Sequence, residues 1–233
     1  MKRLALTKDE KFEYCDCIKN NGGDYICDHQ NHQRCDETED QFRKRINNRL
    51  EIENYLRECF QPYRDKYQDL YYFLMDKKEA KTRLNFDFKT NGAFIKGKYR
   101  LKDGTNIYVI LINKFKLNLL CLALNYTNNY DIDDLKQYFK MILYHEIGHF
   151  LDHFNSDPED IKQRELEQNE LLEFFDDKNS DFFFDYFDKN KNYHTLPMES
   201  KANTLMGISS EFIDKNLTMV LDLIKTLKEI LLK

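Results

Sequence analysis

The sequence predicts an α+β chain, and three observations carry that reading. Gly and Pro number only 7 and 3 among 233 residues, so chain breakers are rare and long helices are favoured. Residues 93–101, 106–112 and 117–125 are instead dense in aromatic, Val, Ile and Leu residues, and Asp103-Gly104 between the first two runs is a hairpin signal. From Asp131 onward the apolar spacing returns to three and four. Aromatic residues make up 14 % of the chain, enough large apolar units to exclude wholesale disorder.

Residues 1–37 form a Cys/His-rich module holding Cys15, Cys17, Cys27, His29, His32 and Cys35 around Gly22 and Gly23. A helical region follows over 38–85. Thr38 and Gln41 read as a capping box opening a helix with Phe42, Ile46, Leu50 and Leu56, which Pro62 should break or end. A second helix is expected from Tyr63 to about Lys81. The third region, 86–233, starts with the three runs above, read as three strands of one sheet. Tyr138, Ile142, His145, His149 and Asp152 then follow at steps of four, three, four and three, so they share one helix face. Residues 157–188 are an acidic, Phe-rich insert with 12 acidic and 3 basic residues, helical in its first half. A last helix carries Ile213, Leu217, Val220, Ile224, Leu227 and Leu231 at alternating three and four, expected to pack on its own domain, over the helices of 42–81, in a monomer.

No run approaches the roughly 20 apolar residues of a membrane span, and Asp9 and Glu10 interrupt any apolar stretch after the basic start. A cytoplasmic protein without membrane association is expected.

Chemistry concentrates in one motif. Residues 145–149 read HEIGH, an HExxH pattern on a predicted amphipathic helix. With 6 His in the chain, chance supplies roughly 0.01 copies of it. Imidazoles four residues apart point the same way and can share one Zn²⁺. Glu146 projects beside the ion and can act as general base. Continuing the series, His153 lies about 12 Å along the axis from His145, too far to share that ion. A third ligand must come from elsewhere. Glu199 is the leading candidate, because Ala202, Leu205, Met206 and Phe212 define an inward face on which its carboxylate also lies, and a buried carboxylate needs compensation. Glu165, Glu167, Glu170 and His194 are the alternatives. His194, with Tyr193 beside it, is also the candidate donor to the oxyanion, and Asp152 a candidate to orient an imidazole from behind. Cys121, in NLLCLALN, reads as a small buried residue rather than a ligand.

The strand-rich stretch, the HEIGH helix and the later E199-x-x-A202-N203 resemble the ImmA/IrrE-type zinc metallopeptidases, gluzincins with HExxH and a downstream ExxAN, over about residues 90–213. The resemblance implies a zincin-like core, a small β-sheet packed on the HExxH helix, flanked by N-terminal and C-terminal helices. It also implies His145, His149 and Glu199 as ligands, Glu146 as general base and Asn203 behind the ligands. The 49 residues between His149 and Glu199, and the Cys/His-rich start, depart from the family pattern.

The functional expectation is a zinc-dependent endopeptidase acting on a limited set of protein or peptide substrates, among which a regulatory protein would fit. A second zinc is expected in the N-terminal module, whose thiolates and imidazoles suit a closed structural site. The alternative is a regulatory or nucleic-acid-associated binding protein with a structural or nearly inactive zincin core. Arg43, Lys44, Arg45 and Arg49 support that reading.

Overall fold

Thr38 starts the first helix as its sequence requires: its hydroxyl accepts from the Gln41 N–H, and the Gln41 side chain accepts from the Thr38 N–H. The computed structural model describes residues 37–88, 90–100, 106–175, 194 and 196–231. The N-terminal cysteines and histidines, the Asp103-Gly104 turn, Tyr193 and the acidic stretch 176–188 lie outside the described residues. Element order is α1 (Glu39–Lys66), β1 (Leu70–Met75), α2 (Lys77–Leu84), β2 (Gly92–Arg100), β3 (Asn106–Asn113), α3 (Lys114–Ala123), a 3-10 turn (Leu124–Tyr126), α4 (Ile132–Asn155), α5 (Pro158–Phe175), α6 (Pro197–Leu205) and α7 (Ser210–Leu231). The chain is α+β and mostly helical, with seven α-helices and one three-stranded sheet among the described residues. No helix among them is long and apolar enough to cross a membrane.

Strand β3 is central, with β1 parallel on one side and β2 antiparallel on the other. Its residues alternate between two apolar layers, as a strand covered on both faces must. Ile110 and Ile112 face the main core with Ile52, Leu56 and Phe60 of α1, Leu117 of α3, and Phe139, Leu143 and Ile147 of α4. Ile107, Val109 and Leu111 face a smaller layer with Ala80 of α2, Phe88 and Ile95. Residues 38–85 thus contribute β1 to the sheet and α1 to the main core.

Three local expectations change. Residues 117–125 form α3 and the 3-10 turn, not a strand. The run has no β-branched residue, its leucines favour helix, and Asn113 caps it by accepting from the Lys116 N–H. Residues 70–75 are a strand rather than helix, because three consecutive aromatics suit a pleated surface. Helix α1 also runs through Pro62 to Lys66. Pro62 removes one N–H donor, but Phe60 against Tyr72 and Tyr63 against Tyr144 hold this end in the core.

Of Arg43, Lys44, Arg45 and Arg49 on α1, the first two are exposed and the other two are not free surface. Arg45 is buried and gives both Nε and Nη2 to Glu37 at 2.8 Å, with Nη1 on Asn118; buried Arg49 pairs with Glu53. Leu50, expected inside, is exposed. Helix α7 buries Ile213, Val220, Leu223 and Leu227, but packs on α3, the 3-10 turn and α4 rather than over residues 42–81.

Candidate metal centre

Helix α4 carries the HEIGH residues through the middle of the molecule. Asp131 opens it with a capping box, accepting from the Asp133 and Asp134 N–H groups while its own N–H is taken by the Asp134 carboxylate. Leu135, Tyr138, Phe139, Leu143, Ile147 and Phe150 bury it on several sides, and His145, Glu146 and His149 face a cleft. That cleft has a volume of about 660 Å³ and runs between α4, the start of β2, α5, α6 and α7.

Helix α6 brings Glu199 to the histidines. His145 Nε2 lies 2.8 Å from Glu199 Oε2, His149 Nε2 lies 3.1 Å from the same oxygen, and the two imidazole nitrogens are 3.0 Å apart. Behind them, His145 Nδ1 donates to Asn203 Oδ1 at 2.8 Å. That bond places a proton on Nδ1, so Nε2 is the nitrogen facing His149 and Glu199: it donates to Glu199 while the ring is charged and offers its lone pair once that proton leaves. Two imidazole nitrogens and a carboxylate oxygen within hydrogen-bond distance of one another need a proton or a cation among them. The group His145, His149 and Glu199 could hold a metal ion.

Gly148 allows this approach. A Cβ there would meet the Ala202 backbone, with the carbonyl carbon at 2.8 Å and Cα at 2.9 Å, so only glycine lets α4 and α6 cross this closely. Gly92 does the same for Glu146: a Cβ would lie 2.8 Å from its Oε1 and 2.6 Å from Ile142. The Glu146 carboxylate accepts from the Phe94 backbone N–H, so the buried acid rests on β2, beside the three-residue group and outside it.

The metal-free electrostatics follow from this packing. Burial raises the Glu146 carboxyl above the usual range, only partly offset by His145 and His149. Burial would also raise Glu199, yet its hydrogen bonds from His145 and His149 hold it well below the usual carboxylate range. Burial opposes charge on His145, but Glu199 and Glu146 outweigh it and push the imidazole up to about 9. Two acids in one cleft are thereby driven apart in basicity.

Other expected residues fall as follows. His194 lines the same cleft, as does Glu165, whereas Glu167 is exposed. Asp152 is buried, but it does not orient an imidazole: both its oxygens are taken by Arg164 Nη2, at 2.7 and 2.8 Å, and one also by Ser156 Oγ. An arginine nearly two turns into the next helix outcompetes a neutral ring for a buried carboxylate. His153 packs against Phe94 and Tyr108, and Cys121 is fully buried. Sequence reasoning missed Gly92, although a glycine opening a strand is a sign of close approach, and it missed Gln168, whose contact below has no local signature. Compared with protein-family models, curated proteins and solved structures, the chain matches none.

Proposed function

We propose that the chain is a zinc-dependent endopeptidase, acting in the cytoplasm on a limited set of protein substrates. The convergence of His145, His149 and Glu199, with a basic, buried Glu146 beside them, carries this reading. Two imidazoles and a carboxylate are a donor set of catalytic zinc sites, which need donors about 3.3 Å apart for tetrahedral bonds of ~2.0–2.1 Å. The observed 2.8–3.1 Å falls short of that by about half an ångström or less, a gap that small side-chain rotations close. These are also the residues that carry the resemblance to ImmA/IrrE-type peptidases.

Bound there, zinc would supply a Lewis acid that polarises the scissile carbonyl and acidifies water. The chain supplies the rest. Asn203 fixes the tautomer of His145. Glu146, held on β2 by the Phe94 N–H, takes the proton of the attacking water and passes it to the leaving amine. His194, on the cleft wall, donates to the developing oxyanion. Phe94, Met141 and Ile142 keep the floor apolar, which strengthens these charges.

The test uses zinc-loaded full-length protein, a proteome-derived peptide library and mass spectrometry of new termini. Wild type should cut, and Glu146→Gln should bind zinc equally and not cut. Equal cleavage by Glu146→Gln would remove the base assignment; no zinc uptake by wild type would remove the metal.

A further inference from the structure

We infer that helix α5 is a brace for the metal centre, with Gln168 and Arg164 as positioning residues; the inference rests on the metal reading above. Helix α6, which carries Glu199 and Asn203, lacks a side-chain cap of its own: Leu196 occupies the N-cap position and Pro197 follows. Its first free N–H, that of Met198, donates instead to Gln168 Oε1 at 3.1 Å. The cap therefore comes from another helix, thirty residues earlier in the chain. One turn before Gln168, and so on the same side of α5, Arg164 grips both oxygens of Asp152 on α4.

Both links end beside ligands. Asp152 is three residues after His149, and Met198 immediately precedes Glu199. A single face of α5 thus ties the histidine helix to the glutamate helix without supplying a donor to the three-residue group. The other fixed contacts described above, Gly148 against Ala202 and His145 against Asn203, lie side by side on α6, and holding it there alone leaves its first turn able to tilt. Glu199 lies three residues, about 4.5 Å, along the axis from Ala202. A tilt of about 3° about that point moves it by about 0.2 Å, already the tolerance of a metal–ligand bond. Gln168 removes that freedom by holding the helix at a second point.

The test measures the dissociation constant for Zn²⁺ alone, by competition with a chromophoric chelator, on full-length wild type, Gln168→Leu, Gln168→Glu and Arg164→Met. Gln168→Leu keeps bulk and loses the acceptor; roughly tenfold weaker binding is expected, within the range for residues that orient ligands. Gln168→Glu restores an acceptor at the helix N-terminus and should return affinity to within about twofold of wild type. Arg164→Met keeps much of the bulk, removes the Nη2 contact to both Asp152 oxygens, and should weaken binding severalfold. Circular dichroism with chelator present checks that each variant is folded. Wild-type affinity in Gln168→Leu would overturn the brace, and so would a Gln168→Glu as weak as Gln168→Leu. Failure of wild type to bind zinc would overturn both the brace and the metal reading, whereas binding that Gln168→Leu leaves untouched overturns the brace alone.

Discussion

Gly148→Ala tests whether the close crossing of α4 and α6 builds the metal group. The added Cβ would sit 2.8 and 2.9 Å from the carbonyl carbon and Cα of Ala202, and nearer still to its oxygen. An ordinary C···O contact begins at about 3.3 Å, so the helices must part by about 1 Å. Overpacking of this kind costs ~1–3 kcal/mol, while alanine in a helix interior returns ~1 kcal/mol over glycine. The net effect on the metal-free protein is therefore a loss of up to about 2 kcal/mol. The metal effect is larger. Glu199 moves with α6, and its present 2.8 and 3.1 Å from the imidazoles would become about 4 Å, past the ~3.3 Å of a tetrahedral site. Zinc affinity should fall at least about tenfold. Urea unfolding with chelator reads the first number and chelator competition the second. A Gly148→Ala protein that binds zinc like wild type and unfolds at the same or higher urea would refute the argument.

Glu199→Ala should cost about a hundredfold or more in zinc affinity, since two imidazoles alone remain and ligand loss exceeds the loss of an orienting residue; Glu165→Ala, at a residue that lines the cleft but lies outside the three-residue group, should cost none, and chelator competition decides between them. Lys116 is pushed down to about 8 by burial, so the folded state disfavours its proton. That penalty, about 3 kcal/mol at most, is complete below pH 8 and fades as pH rises toward the ordinary 10.5. Lys116→Met should therefore stabilise the chain at pH 7 and lose the advantage by pH 10.5, less the bond from Lys116 Nζ to Asn91; an advantage constant across that range in urea titrations would count against it. For the N-terminal module, replacing Cys15, Cys17, Cys27 and Cys35 by Ser should lower zinc content from about two per chain to one by elemental analysis. Substitution is preferable to deleting 1–37, because Glu37 is the buried partner of Arg45 and an orphaned guanidinium would cost ~3–5 kcal/mol. Sedimentation should give a monomer mass, since α7 spends its stripe on α3 and α4.

What the sequence disclosed depended on how local each signal was. The HEIGH spacing, the Thr38 capping box and the shared burial of Glu199 and Ala202 lie within a few residues and translate directly into structure. Leu205, expected on the same inward face, is instead exposed, and Phe212 lies on α7 because α6 ends at Leu205. Residues 70–75 and 117–125 are strand and helix where their pattern suggests the reverse, because short apolar runs have no usable period; β-branching and capping decide them. The contacts that set the site's geometry are longer in range. Gln168 reaches Met198 across 30 residues and Gly92 meets Glu146 across more than 50. Neither has a pattern that one sequence can display.

The buried polar residues of α4 supply the last step. A helix that threads a core should be apolar all round, so each departure needs a partner. Asp152 has Arg164 and Ser156. His145 and His149 have Glu199, and His145 has Asn203 as well. Glu146 is different: with 7 % exposure it has a backbone N–H and two imidazoles at a distance, but no cation bonded to it. Stability alone would favour an apolar side chain in that place, and Gly92 is shaped to admit the acid. Glu146→Leu should therefore stabilise the metal-free protein, by about 1–2 kcal/mol on the scale of a desolvated polar group, while leaving zinc affinity within a few-fold. Chemical denaturation with chelator and chelator competition without it measure the two. A clear loss of stability on removing Glu146 would show that the acid holds the fold, and that its place beside the histidines serves packing rather than proton transfer.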